Sequence, residues 1–355
     1  MLKPIVTNES PILFDNDSYN FLCQYIKEQN SSKLFVIVDS HTKKECLPYF
    51  LDRIQKLENI IVIEIQPGET YKNITTCSYI WERLSLHGAD RKSLIINLGG
   101  GVVTDLGGFV AATYMRGIRF INIPTSLLAM VDASVGGKTG VDLGILKNQV
   151  GVFAAPQFVI VDPQYLITLP KNHITNGIAE MLKHGLIHNK DHWDAVSLLQ
   201  KGTIPSRRLV YDSVVIKSTI VNEDPKEQNR RKILNYGHTL GHAIESHYLK
   251  KGNKEGVLHG EAIAIGMLLE SYISSVQEGL SKDTLKTIKE TIFSFFEKKQ
   301  ISHTDIDEII ALLQYDKKNS EGVVNFVLLK TIAQPVIDKK VDRQLIKEAF
   351  YYYLN

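Results

Sequence analysis

Five short apolar runs punctuate the first half of the chain. Leu34–Val38 ends at Asp39, Ile60–Ile65 is a second run, and Leu94–Leu98 leads straight into Gly99-Gly100-Gly101. Phe120–Ile123 stops at Pro124, and Phe158–Val161 stops at Asp162-Pro163. The runs are apolar at most successive positions rather than at alternate ones, with Glu64, Asn97 and Asn122 the polar exceptions, and helix-length segments separate them. Strands of that kind are buried on both faces, so a mostly parallel α/β sheet is expected. After Pro170 the pattern changes to helical spacing, over about residues 174–188, 206–222, 235–249, 259–278 and 282–299. Only Val324–Leu329 reads there as a strand. The expected organisation is an α/β domain over 1–170 and a mainly α-helical domain over 171–355, with Lys250–Gly256 an exposed loop.

Composition narrows the class. A chain of 355 residues, 44% hydrophobic and 23% charged, suits two packed domains rather than disorder. The net charge of +2 gives no general electrostatic attraction to nucleic acid or to an acidic membrane. No apolar run is long enough to span a bilayer, and Met1-Leu2-Lys3-Pro4 opens no signal-peptide core. Cys23, Cys46 and Cys77 are scattered without a C-x-x-C pair, which suits reduced thiols in a cytoplasmic protein.

Gly99–Asp105 follows one of the predicted strands and opens a helix. Glycines there let a backbone approach a pyrophosphate at the helix N-terminus. Thr104 occupies the place of the third glycine of the usual fingerprint, so a plain strand-to-helix turn fits equally well. Asp39 ends an earlier strand and suits either a ribose hydroxyl or a helix N-cap. Gly136-Gly137-Lys138-Thr139 imitates a P-loop, but Val131 stands where the first glycine should be. What remains is a flexible glycine segment whose lysine could grip a phosphate.

A denser constellation follows. In Gly237-His238-Thr239-Leu240-Gly241-His242 the two histidines are four apart and share one helix face, and the glycines clear space beside them. His259 opens a later helix, and Glu180 and Lys183 lie on an earlier one among small residues. A lone helical histidine is normally just hydrogen-bonded. Two imidazoles and a carboxylate make a catalytic zinc set with room for substrate. Spacing alone selects His238 and His242 as the imidazole pair.

These motifs, in this order, resemble the 3-dehydroquinate synthase family. The resemblance runs from Gly68-Glu69-Thr70-Tyr71-Lys72 through the Gly99–Asp105 turn, Ala112–Gly117, Pro124–Gly140 and Lys147-Asn148. It continues through Gly177–Lys183 and Leu234–Ala243 to Asp316-Lys317-Lys318. It implies a Rossmann-like NAD domain, a helical metal domain and an active site in the cleft between them. It implies that Glu180, His238 and His259 hold the metal, zinc with cobalt as the alternative, and that His242 turns to the substrate. NAD is expected at Asp39, Glu69, Lys72, Gly100, Gly101, Val102, Asp105, Thr125, Ser126, Lys147, Leu166 and Thr168.

The implied substrate is 3-deoxy-D-arabino-heptulosonate 7-phosphate, which needs cationic partners at both ends. Its phosphate matches Lys138, Asn148, Asn235, His242 and one of Lys317 and Lys318, with Arg116 joining from the other subunit of a homodimer. Its carboxylate matches Lys217 and Arg231, and a ring hydroxyl matches Asp132 and Lys183. The implied reaction oxidises one carbon transiently with NAD, eliminates phosphate, returns the hydride and closes the carbocycle by an aldol step. His242 and Glu227 are the candidates for proton traffic.

Three positions and one segment depart from the family pattern: Thr104, Ser126, Asp142 where asparagine is frequent, and residues 143–146. The interval between His238 and His259 is also longer than usual. A cyclase acting on a substrate without a carboxylate would not need Lys217 and Arg231. A metal-dependent alcohol dehydrogenase would not need the phosphate cage, and a non-catalytic binding paralogue would not need an intact ligand set.

Overall fold

The computed structural model describes residues 2–8, 10–14, 17–54, 57, 59–144, 146–251, 256–313 and 324–355. The chain forms two compact units: Met1–Pro170 with Lys217–Asn222, and Lys171–Ile216 with Glu223–Asn355.

The first unit is built on strands β1 (Ile12–Phe14), β2 (Leu34–Asp39), β3 (Ile60–Ile65), β4 (Leu94–Gly99), β5 (Arg119–Pro124), β6 (Lys138–Leu143), β7 (Leu146–Phe153) and β8 (Val159–Val161). Its helices are α1 (Asp17–Glu28), α2 (Ser40–Glu45), α3 (Leu47–Arg53), α4 (Ile74–Leu86) and α5 (Gly101–Thr113). Six strands form one sheet in the order β1-β8-β5-β4-β2-β3, and every pairing in it is parallel. β4 is buried along its whole length, as its mostly apolar run suits, and the one polar side chain in it, Asn97, donates 2.9 Å to Asn122 Oδ1 on β5. The chain adds β3 on one side of β2 and then returns to add β4 on the other. Loops leaving β2 and β4 therefore diverge at their carboxyl ends, which is where an open α/β sheet offers a crevice for a ligand.

Helix α5 presses closely on the sheet. A Cβ at Gly107 would overlap the Asn97 side chain on β4, and one at Gly108 would overlap Thr139 on β6. Close helix–sheet packing, the role of the third fingerprint glycine, has thus moved to position 107. Thr104 itself is buried and bonds back to the carbonyls of Gly100 and Gly101. Gly136-Gly137-Lys138 is not the free segment expected from its glycines: Lys138 opens the antiparallel β6–β7 hairpin.

The second unit contains α6 (Lys171–His188), α7 (Lys190–Ser197), α8 (Arg207–Glu223, whose Lys217–Asn222 turn groups with the first unit), α9 (His238–Lys250) and α10 (His259–Gln277). Then come α11 (Lys282–Phe295), α12 (His303–Leu312), the antiparallel strands β9 (Asn325–Thr331) and β10 (Gln334–Lys340), and α13 (Arg343–Leu354). Helix α10 is apolar almost all round and packs against α6, α9, α11, α13 and β9, as a central helix should. Gly237 and Gly241 clear space for α10 rather than for the histidines beside them: a Cβ at either would overlap Met267 or Ile263. In return, a Cβ at Gly266 would overlap the Gly237 carbonyl.

Several elements are additional to those expected: β1, the β6–β7 hairpin, β10, α7, α12 and α13. Residues 252–255 of the expected loop lie outside the described residues. Among the described residues no helix is long and apolar enough to cross a membrane. The three cysteines are buried and unbridged.

Candidate metal centre and cofactor site

In the second unit three helices meet at Glu180. Its side chain is fully buried on α6. Oε1 lies 3.4 Å from His238 Nε2 and 3.6 Å from His259 Nε2, while Oε2 faces the ammonium of Lys183 one helical turn on. Despite these approaches, neither oxygen accepts a hydrogen bond of good geometry among the described residues. Lys183 supplies a cation on the Oε2 side of this buried carboxylate, and Oε1 is left facing the two imidazoles.

The two imidazoles are held from behind. His238 Nδ1 lies 3.1 Å from the Tyr236 carbonyl, and His259 Nδ1 lies 3.1 Å from Glu245 Oε2. Such outer contacts fix the tautomer and aim Nε2 at a metal. The helix ends carrying these rings are tied down too. The left-handed Gly237 caps α9, and its N–H donates 2.6 Å to Glu270 Oε2 on α10. The Gly260 N–H, next to His259, donates to Asn176 Oδ1 on α6. His242, one turn beyond His238, keeps its ring centroid 5.1 Å from His238 and 5.8 Å from His259. His238, His242 and His259 also present nitrogens within 4.8 Å of one another. Geometry therefore supports the histidine pair favoured by spacing as well as the set that takes Glu180.

The electrostatics of Glu180, His238 and His259 differ. Burial raises the Glu180 pKa, but Lys183 and His238 outweigh it and hold the carboxylate well below its usual range. Burial and the Lys183 ammonium push His238 down to about 4. Burial also disfavours the His259 cation, yet Glu245 and Glu180 reverse that and carry it up to about 10. His259 faces two carboxylates, so it gathers positive charge at this point of the unit.

Other candidates of the second unit lie on the loop before α9. Asp224 accepts backbone N–H bonds from Gln228, Asn229 and Arg231 and so folds this loop. Arg231 is buried, with Nη1 donating 2.6 Å to the Pro225 carbonyl. Asn235 Nδ2 donates 3.0 Å to Glu227 Oε1, which joins an expected phosphate partner to an expected proton carrier. Lys317 and Lys318 lie outside the described residues.

In the first unit the expected nucleotide residues follow strand ends. Gly100 caps α5 without a side-chain bond, leaving the leading amides of the helix for an anion. Val102 and Asp105 belong to its first turns. The Thr125 N–H donates 3.0 Å to the Gly99 carbonyl, tying the ends of β4 and β5 together. A Cβ on Gly100 would stand 3.3 Å from Ser126 Oγ, so that glycine keeps the approach narrow and open. Asp39 caps α2, with Oδ1 accepting 2.7 Å from Thr42 N. The capping role is thus filled, with the carboxylate at a strand end.

Leu166 and Thr168 lie on the turn that begins at Pro163, which Asp162 caps. Asp162 Oδ2 also receives the hydroxyls of Tyr19 at 3.0 Å and Tyr49 at 2.9 Å.

Charged residues from distant parts of this unit form one network. Lys72 Nζ donates 2.7 Å to Asp105 Oδ2 and 2.6 Å to Asn148 Oδ1. Lys147 pairs with Glu69 and lies 3.2 Å from Asp142 Oδ2. Burial opposes the charge on Lys72, but Asp105 and Glu69 prevail and raise its pKa. Lys217 Nζ donates 2.5 Å to Asp132 Oδ1, and Asp132 sits on a single π-helical turn, Ala129–Ala133, of the kind common at functional sites. Arg116 is exposed at the end of α5, where Met115 and Arg116 both adopt left-handed backbone. Glu245, Glu270 and Asn176 escaped the sequence reading, because only the packing brings each to its partner.

Comparison with known proteins identifies the family and the fold. Residues 62–176 match the family model described as 3-dehydroquinate synthase N-terminal, and 177–319 match 3-dehydroquinate synthase C-terminal. The 3-dehydroquinate synthase of Parabacteroides distasonis is 40% identical over 98% of both chains. That of Dictyoglomus thermophilum is 37% identical over 93% of this chain and 92% of its own. Among solved structures, 2-deoxy-scyllo-inosose synthase, complexed with carbaglucose-6-phosphate, NAD+ and Co2+, superposes with a TM-score of 0.86 at 26% identity over 99% of both chains. The 2-epi-5-epi-valiolone synthase of Streptomyces hygroscopicus, with NAD+ and Zn2+, reaches 0.82 at 22% identity over 100% of this chain and 99% of its own, a likeness of fold.

Proposed function

The chain belongs to the 3-dehydroquinate synthase family, and we propose that it converts 3-deoxy-D-arabino-heptulosonate 7-phosphate to 3-dehydroquinate and phosphate. This makes it a phosphate-eliminating carbon–oxygen lyase that uses NAD and one divalent metal, zinc or cobalt. The observation that carries the reading is Glu180. It is a fully buried carboxylate without a well-formed hydrogen bond, set against two imidazole Nε2 atoms whose Nδ1 atoms are already engaged. That donor set fits a borderline divalent cation with positions left for substrate. We assign Glu180, His238 and His259 as ligands, because Glu180 Oε1 faces both imidazole Nε2 atoms while Lys183 engages only Oε2.

When bound, the metal acidifies a substrate hydroxyl and NAD accepts and later returns the hydride. The protein's own groups position the rest. Asp132 and Lys183 hold a ring hydroxyl, and Lys217 and Arg231 hold the carboxylate. Lys138, Asn148, Asn235 and His242 hold the phosphate, together with a lysine of Lys317-Lys318. Arg116, exposed on its left-handed hook, reaches the site of a second copy in a homodimer. His242 and Glu227 carry protons, the latter supported by its bond to Asn235. NAD is held by Asp39, the Glu69–Lys72 loop, the amides of Gly100, Gly101 and Val102, Asp105, Thr125, Ser126, Lys147, Leu166 and Thr168. Three buried free thiols suit the reducing cytoplasm, where we place the enzyme.

The test is an incubation of metal-loaded protein with the heptulosonate phosphate and catalytic NAD, following phosphate release and free NADH. Phosphate and dehydroquinate without net NADH are expected. Net NADH, or turnover only of a sugar phosphate lacking a carboxylate, overturns the proposal.

A further inference from the structure

The β6–β7 hairpin carries a residue, Asp142, to which no role has been given above. Its ladder slips between Val141 and Leu143, so Asp142 leaves the regular register. The Asp142 N–H turns instead to the Lys72 carbonyl at 2.9 Å. Irregularities of this kind re-aim a side chain. Here the re-aimed side chain is a carboxylate with two separate partners. Oδ1 accepts the Asn148 N–H at 2.7 Å, and Oδ2 lies 3.2 Å from Lys147 Nζ. Asn148 has φ +50°, a left-handed conformation that an L-residue adopts only with support. Its side-chain oxygen meets Lys72 Nζ at 2.6 Å.

We propose that Asp142 is a positioning residue that sets Asn148 for the substrate phosphate with one oxygen and Lys147 for NAD with the other. The proposal rests on the roles given above to Asn148 and Lys147. It turns a departure from the family pattern into a working part. An asparagine at this position keeps an acceptor for the Asn148 N–H but loses the charge that faces Lys147. The two duties of the carboxylate can therefore be separated by substitution.

Asp142→Asn and Asp142→Ala are compared with wild type in steady-state kinetics. Inorganic phosphate serves as a competitive probe of the phosphate subsite, and melting temperature as a check on folding. Asp142→Asn is expected to raise KM for NAD about five- to tenfold, while phosphate inhibition stays within about twofold of wild type. Asp142→Ala is expected to raise KM for NAD similarly and to weaken phosphate inhibition about tenfold or more. Asn148→Gly keeps the left-handed turn and loses the amide, so it weakens phosphate inhibition. Unchanged inhibition in Asn148→Gly overturns the role of Asn148 and the proposal with it. A weakened Asn148→Gly beside a wild-type-like Asp142→Ala overturns the proposal alone. If Asp142→Ala fails to fold, an Asp142→Asn enzyme with unaltered KM for NAD also overturns it.

Discussion

His259 Nδ1 lies 3.1 Å from Glu245 Oε2, with Glu245 one helix earlier and buried. This contact does more than satisfy a donor. It holds the imidazole so that Nε2 points toward Glu180, 3.6 Å away. Removing an outer partner of that type costs roughly 10- to 100-fold in metal affinity. Glu245→Ala is therefore expected to weaken zinc binding by about that factor in a chelator-competition titration, with helical content preserved. Wild-type affinity in the variant would mean that packing alone orients His259.

His242 separates the two readings of the metal set. Acting on substrate, it should not matter to metal retention. His242→Ala is expected to lower kcat about 100-fold or more, as loss of a proton carrier does, while the purified protein keeps near-stoichiometric metal. Glu180→Gln and His259→Ala should lose the metal together with activity. Elemental analysis of the three variants decides the matter. Metal loss in His242→Ala restores the pair that helical spacing first selects.

Much of the first unit was legible because a strand buried on both faces is apolar at nearly every position. Leu94–Leu98 announces itself in that way, interrupted only by Asn97, and β4 is buried along its whole length. The β6–β7 hairpin was not legible. β7 is largely exposed, and Gly140 and Gly151 face each other across the pair, so neither the run nor the alternation that marks strands is present. The same limit applies at the metal. His238 and His242 are visible as a pair because four residues make one helical turn. Glu245 and Glu270 are two of 39 acidic residues, and no local pattern marks them. Their roles arise only where α9 and α10 pack. Glu180 was visible among small residues on its helix and the resemblance kept it in the set, whereas Glu245 and Glu270 required the structure.

The α9–α10 contact makes a steric prediction. A Cβ on Gly266 would overlap the Gly237 carbonyl, and Gly237 is the cap from which His238 follows. Overlap with backbone cannot be relieved by a rotamer change, so the helices must separate. Gly266→Ala is expected to cost about 1–3 kcal/mol and to weaken metal binding at the same time. Urea unfolding of the metal-free protein reads the first effect, and metal titration reads the second. A destabilised variant with intact metal affinity would show that His238 does not depend on this crossing.

A last prediction concerns acid stability away from the metal. His192 is buried on α7, and its Nε2 has no hydrogen-bond partner among the described residues. Burial first, and neighbouring His184 second, push its pKa from 6.5 down to about 4. Below about pH 6.5 the unfolded chain takes up a proton that the folded chain refuses. Stability attributable to this group is thus whole above pH 6.5, falls as pH drops toward 4, and changes little below. The full loss is about 3 kcal/mol. His192→Leu, an apolar side chain of similar size, should remove that slope. Urea unfolding of metal-free protein at pH 7.5 and pH 5 should show a gap between the two pH values smaller by about 1–2 kcal/mol in the variant. An equal gap in both proteins would mean that His192 is protonated, or solvated, in the folded state.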